Sequence, residues 1–235
     1  MTQVIFSTGD KGGTGKSTTA RFIVELLLGE GKKVQLIDCD PNNPDLIGVF
    51  GARESVLAID VRHQANVDEL FQIIEGDTEN TTFVLDMPAG AGEYLSAEAD
   101  FFAALFDNEN INLDIVWSLN TDKTGVVQLK ANHEAFAELG ARYTVVKNGF
   151  YAQQDNREDP FAHWNGSAIK KTLEKTGQLH EVELPGIRKE LMEGLGRRAL
   201  KAEVVDRAEG VPSFLSARWA PIYKKLANEF SHLTS

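Results

Sequence analysis

Residues 9–19 of the chain read GDKGGTGKSTT, eleven positions that hold four glycines, two lysines and four hydroxyl side chains. Gly15-Lys16-Ser17 is the ending of the phosphate-binding pattern G-x-x-x-x-G-K-[ST], but the pattern's first glycine falls on Asp10, and Lys11 follows it. Gly12, Gly13 and Gly15 allow backbone conformations and close approaches that a side chain blocks. Successive amide N–H groups, Thr14 included, can then face one anion, helped by the positive end of the following helix. In such a loop Lys16 reaches the β- and γ-phosphates of a nucleotide, Ser17 coordinates Mg2+ and Thr18 adds a phosphate contact. Two acidic stretches complete the chemistry. VQLIDCDPNNPD carries Asp38 and Asp40, two apart and so on one side of a strand while the strand continues. FVLDMPAGAG carries Asp86, followed by Pro88 and small residues. Carboxylates near a loop of this kind hold the waters around a nucleotide-bound metal ion.

The elements that must position these groups are legible as alternating patterns. Short, nearly continuous apolar runs at 4–8, 34–38, 82–88, 113–119 and 143–148 read as strands buried on both faces. Segments of helical period lie between them, at 16–30, 65–75, 93–107, 123–139 and 167–177. Further short strands are expected at 56–61 and 179–184. This alternation predicts an α/β fold, a three-layer arrangement with a mostly parallel sheet and helices on both faces. In parallel sheets ligands sit outside the carboxyl ends of the strands, so Asp38, Asp40 and Asp86 are expected to converge on the loop that follows residues 4–8.

Composition narrows the rest. The chain has 235 residues, a length that suits one α/β domain over 1–235. A formal net charge of −11 opposes general nucleic-acid binding, which depends on neutralising phosphates with Lys and Arg. No run of about 18 apolar residues is present, and the start shows no signal-peptide pattern. The one cysteine, Cys39, fits a reducing cytoplasm and supplies no iron–sulfur site. The five histidines are scattered without metal-ligand spacing.

KGGTGKST resembles the deviant Walker A motif of the ParA/MinD group of P-loop ATPases, LIDCDP their second motif, and VLDMPAG their Walker B motif, in the family's order over residues 1–92. The resemblance implies an ATPase that binds ATP with Mg2+ and forms a homodimer when ATP-bound, with slow hydrolysis stimulated by a partner protein. It implies that Lys11 reaches across the dimer to the partner's nucleotide, that Lys16 is the P-loop lysine and Ser17 the metal ligand. Asp38 and Asp86 are implied near the metal, Asp40 beside the attacking water, and Asn148 at the base. The cation at Lys11 would act like an arginine finger supplied in trans. A plain solvated loop lysine is the other reading of Lys11.

Family members position cargo, and the remaining chain bears on which. The segment 216–235 places Trp219, Ile222, Tyr223, Leu226, Phe230 and Leu233 at helical spacing, with a polar side that is not strongly basic; a helix packed on the domain rather than on a membrane is expected. Arg188, Lys189, Arg197, Arg198 and Lys201 alternate with glutamates, which leaves two readings open: a nucleic-acid contact or a solvated face of mixed charge. The stretch 161–187, with Trp164 ahead of a helix and then VELP, is similar to ParA-like ATPases of plasmid stability and conjugal-transfer regions; Trp164 as a core anchor explains it equally. The overall expectation is an ATP-driven dimerisation switch in positioning, partition or transfer of plasmid DNA or another cargo. An ATP-dependent metabolic or metal-loading enzyme on the same scaffold is the alternative.

Overall fold

The computed structural model describes residues 2–77, 79–106, 111–187 and 213–234. Its frame is a seven-stranded sheet: β1 (Thr2–Thr8), β2 (Val34–Asp38), β3 (Val56–Ala58), β4 (Thr82–Asp86), β5 (Ile111–Leu119), β6 (Arg142–Asn148) and β7 (Leu179–Leu184). The spatial order is β3-β2-β4-β1-β5-β6-β7. Every neighbouring pair is parallel, where the sequence predicts only a mostly parallel sheet. The reason lies in the strands themselves. Val4 and Phe6 pack into one apolar layer while Ile5 packs into the other, so β1 must be covered on both sides.

Ten helices among the described residues supply the cover: α1 (Lys16–Gly29), α2 (Asp45–Phe50), α3 (Gln64–Glu75), α4 (Ala91–Ala97), α5 (Ala99–Phe106), α6 (Lys123–Ala135), α7 (Gly149–Ala152), α8 (Ala162–Asn165), α9 (Ala168–Thr176) and α10 (Ser213–Glu229). Residues of α1, α2 and α10 share one core with Ile5, Leu36, Val84, Val116 and Val146. Those of α3 to α6, α8 and α9 share the other with Phe6, Ile37, Leu85, Ile115, Trp117 and Val145. The three layers follow directly.

Several predicted boundaries move, each for a local reason. The run 82–88 leaves the sheet at Asp86, and the strand expected at 56–61 pairs only over 56–58. The helix predicted at 93–107 is two helices that meet at Glu98, a residue at φ −100° and ψ 15°. The helix predicted at 123–139 stops at Ala135; Phe136 turns its ring into the core, 1 % exposed, and a short 3-10 turn follows. Helix α9 starts where the Ser167 side chain accepts from the Lys170 N–H, and it ends at Gly177, whose φ of +71° stops it. The short helices α2, α7 and α8 carry too little periodicity to be read from sequence.

The C-terminal segment packs on the domain as its apolar spacing implies. Trp219, Leu226 and Phe230 are buried, and the Trp219 ring stacks on Phe22 of α1 with centroids 5.2 Å apart. Trp164 is also buried, and its indole N–H donates to Glu181 at 2.8 Å, so it is a core anchor. No helix among the described residues is long and apolar enough to cross a membrane. The basic stretch at Arg188, Lys189, Arg197, Arg198 and Lys201 lies outside the described residues.

Beyond α10, His232 stacks on His180 of β7 with ring centroids 3.9 Å apart. Its Nδ1 lies 3.1 Å from the Glu229 carbonyl, which only accepts, so Nδ1 carries the proton of the neutral ring. Its Nε2 then accepts from the Thr144 hydroxyl at 2.7 Å. Burial, reinforced by His180, pushes the His232 pKa down to about 4 from 6.5. The folded state therefore disfavours protonation that the unfolded chain accepts.

Two predictions follow from this packing. Trp219→Ala is expected to lower unfolding free energy by about 3–5 kcal/mol, read from urea denaturation. Stability from the neutral His232 is fully present above pH 6.5 and is lost as pH falls from 6.5 towards 4. His232→Gln is expected to flatten that part of the profile of denaturation midpoint against pH.

Candidate functional site

The turn from β1 into α1 runs along the carboxyl edge of the sheet. It is possible only because Gly13 and Gly15 take φ of +80° and +103°, which L side chains rarely adopt. Space is equally tight: a Cβ on Gly15 would stand 2.9 Å from the Asn148 amide nitrogen. The loop is braced from three sides. Ser7 of β1 donates its hydroxyl proton to the Lys16 carbonyl at 2.9 Å, Asn148 of β6 donates to the Thr14 carbonyl at 2.8 Å, and Tyr151 of α7 donates to the Gly13 carbonyl at 2.8 Å. The first N–H groups of α1, which no intrahelical carbonyl can satisfy, open onto the same place.

A cavity of about 260 Å³ lies there, lined by Gly12, Gly13, Gly15, Lys16, Ser17, Thr18, Asp40, Asn43, Met87 and Ala89. Seven of these lining positions are residues that the sequence singles out. Thr14 is buried and turned inward, its hydroxyl donating to the Lys11 carbonyl at 3.1 Å. The Lys16 ammonium donates to that same carbonyl at 2.9 Å. Burial lowers the Lys16 pKa, while Asp86, Asp40 and Asp10 pull it back up.

Two of the aspartates are buried at the same level of the sheet and the third stands nearer the surface. Asp86 ends β4, is 2 % exposed, and its Oδ1 is buried without a hydrogen-bond partner among the described residues. Burial pushes its pKa up to about 7, against the opposing pull of the neighbouring Ser17 side chain and of Lys16. Asp38 is its register partner on β2. Its carboxylate accepts from the N–H groups of Asp40 at 3.3 Å and Ile47 at 3.2 Å, so it anchors the start of α2. Burial raises its pKa too. Asp40 stands beyond the end of β2, which stops at Asp38; a turn rather than strand alternation brings it to the cavity. No cluster of three or more His, Cys, Asp and Glu side chains suited to a metal ion exists among the described residues. A cation here would need Ser17, the buried Asp86 oxygen and oxygens of a bound anion, and these residues fit that demand.

Five of the singled-out residues are not on the cavity wall: Thr14, Asp38 and Asp86, placed above, and Lys11 and Asn148. Lys11 points outward and pairs with Asp122 at 3.0 Å, both side chains about half exposed. Asn148 has both ends of its amide engaged, the nitrogen with Thr14 and the oxygen with the Phe150 N–H at 3.0 Å. It meets the loop backbone. Asn43, Met87, Ala89, Tyr151 and Asp122 were not legible as site residues. Asp122 had a signal, since it follows the end of β5 and starts α6, on the same edge as the loop.

With this geometry in view, the comparisons with known proteins are specific. The CbiA family profile, the CobQ/CobB/MinD/ParA nucleotide binding domain, matches residues 5–188. Protein MobD of Acidithiobacillus ferrooxidans is 24% identical over 169 residues, 72% of this chain and 71% of that protein. The septum site-determining protein MinD of Pyrococcus horikoshii OT3, solved with Mg-ADP, aligns over 100% of this chain and 98% of its own at 17% identity and a TM-score of 0.61. The cell division ATPase MinD of Pyrococcus furiosus aligns over 99% and 100% at 18% identity and a TM-score of 0.56. Loop, sheet order and profile agree, and the chain belongs to the CobQ/CobB/MinD/ParA family of nucleotide-binding P-loop proteins.

Proposed function

We propose that the protein is a Mg2+-dependent ATPase whose nucleotide state controls its dimerisation, serving to position, partition or transfer plasmid DNA or another cellular cargo. The observation that carries this reading is the meeting of the glycine loop, Lys16, Ser17 and Asp40 in one cavity above the buried Asp86. The Mg-ADP bound to the Pyrococcus horikoshii protein supports the choice of ligand. The similarity to MobD runs over 169 residues and so continues well beyond the loop.

Each residue then has a task. The N–H groups of the loop and of the first turn of α1 receive the phosphates, and the Lys16 ammonium moves from the Lys11 carbonyl to the β- and γ-phosphates. Ser17 and Asp86 would hold the metal ion, with Asp38 beside Asp86 on the neighbouring strand. Bound Mg2+ supplies charge neutralisation of the phosphate oxygens. Asp40, at the rim, orients the attacking water. Asn148 keeps the loop in shape from below and lies on the side where the base would approach. Among the described residues the exposed Lys11 ammonium hydrogen-bonds to Asp122 alone, and an exposed pair of this kind is weak. It is therefore free to exchange Asp122 for the phosphates of a second copy, and hydrolysis would then require the dimer. A partner protein that stabilises that arrangement would stimulate turnover.

Two outcomes test the proposal. Lys16→Ala is expected to abolish binding of a fluorescent ATP analogue, whereas Asp40→Ala keeps binding and lowers turnover by about 100-fold or more, measured by phosphate release. Light scattering with ATP is expected to give the mass of a dimer for Asp40→Ala and of a monomer for Asp40→Ala carrying Lys11→Ala. A chain that stays monomeric in every nucleotide state overturns the switch.

A further inference from the structure

The turn Asp40–Asn43 places two side chains on the cavity wall, Asp40 and Asn43, yet it belongs to no helix or strand. Within itself it is closed by two bonds: the Asn43 N–H donates to the Asp40 carbonyl at 2.9 Å, and the Asn42 N–H donates to the Asp40 carboxylate at 3.3 Å. Pro41 lies within it and Pro44 follows it. At its start the Asp40 N–H donates to the Asp38 carboxylate at 3.3 Å, and a second hold comes from the neighbouring strand connection.

Asp60 and Arg62 follow β3, the edge strand beside β2. Arg62 places Nε 2.7 Å from Oδ1 of Asp60 and Nη2 2.8 Å from Oδ2, a two-pronged fork. Asp60 is held in turn by the Arg62 N–H at 3.2 Å, and its carbonyl accepts from the Asn66 side chain of α3 at 3.0 Å. With the Asn42 amide oxygen turned towards it, Nη1 and Nη2 of Arg62 reach that oxygen at 3.2 and 3.3 Å. In that orientation Arg62 holds the Asn42 side chain, while the Asn42 backbone N–H holds the Asp40 carboxylate. The fork is partly shielded, with the Arg62 side chain 29% exposed and Asp60 16%. A planar guanidinium bound in two places transmits orientation that a lysine does not.

We propose that Arg62 is a positioning residue for the reaction: the Asp60–Arg62–Asn42 chain of bonds sets where the Asp40 carboxylate stands at the rim of the cavity. Arg62 is not among the residues that line the cavity, and four of its five guanidinium N–H groups are directed at Asp60 and Asn42, so it acts through Asp40 rather than on the nucleotide. The proposal rests on the role given to Asp40 above.

The test compares the full chain with its Arg62→Gln, Arg62→Lys and Asp60→Asn variants. Backbone hydrogen exchange is followed over residues 38–50, alongside affinity for a fluorescent ADP analogue and ATP turnover. Arg62→Gln is expected to speed exchange at Asn42 and Asn43 and to lower kcat by roughly 10-fold, with nucleotide affinity and KM unchanged. Arg62→Lys recovers only part of the loss, Asp60→Asn imitates Arg62→Gln, and Arg62→Gln added to Asp40→Ala slows turnover no further. Native exchange at Asn42 and Asn43 in Arg62→Gln overturns the proposal. So does a loss of affinity as large as the loss of turnover, or a further loss on top of Asp40→Ala. Should the unaltered chain show no ATP turnover, the ATPase reading fails, and the exchange measurement still decides whether Arg62 holds the turn. Should Arg62→Gln not fold by circular dichroism, Arg62→Lys carries the same comparison.

Discussion

Asp86 is a carboxyl group sealed at the end of a central strand, with one oxygen that no described residue satisfies and a pKa near 7. Burying such a group costs stability unless a partner compensates. Register places Asp38 beside Asp86 on β2 and Ser7 beside it on β1. Ser7 is committed to the Lys16 carbonyl and Asp38 to the start of α2. Among the described residues neither strand neighbour therefore satisfies the open oxygen. A strand order with β4 between β2 and β1 is the condition for this row to form.

The same order explains why α1 can hold a backbone turn that is costly by itself. Left-handed glycines and a short entry into a helix need support. It comes from below, through Asn148 and Ser7, and from behind, through the aromatic stack of Phe22 on Trp219. The C-terminal helix thus contributes to the site from the far side of α1. Its apolar stripe serves packing, and the shape of the phosphate loop depends on it indirectly.

Much of this was readable in the sequence because the determining signals are short-range. Strands sealed on both faces are continuous apolar runs, and the glycine loop is a contiguous pattern; both sit where expected. Helix interruptions at Glu98 and Phe136 were not readable, since periodicity continues through a break that only packing reveals. Asp40 was expected to share a strand face with Asp38, but β2 ends first and a turn delivers it. The pairings of Lys11 with Asp122 and of Tyr151 with Gly13 join residues more than a hundred positions apart. Nothing local announces such partners. The Asp60–Arg62–Asn42 chain is hidden for a different reason: its members are ordinary polar residues in two connections that become neighbours only through the pairing of β2 with β3.

The bond from the Lys16 ammonium to the Lys11 carbonyl gives the loop its own stand-in for a ligand. Any anion that recruits this ammonium must first draw it away from that carbonyl, so weakly charged species compete poorly with the loop itself. Once the ammonium has moved, the Lys11 carbonyl keeps only the Thr14 hydroxyl as a partner. An occupant that drew the ammonium away would thereby loosen the peptide that carries Lys11, which points away from the cavity and stands five positions before Lys16.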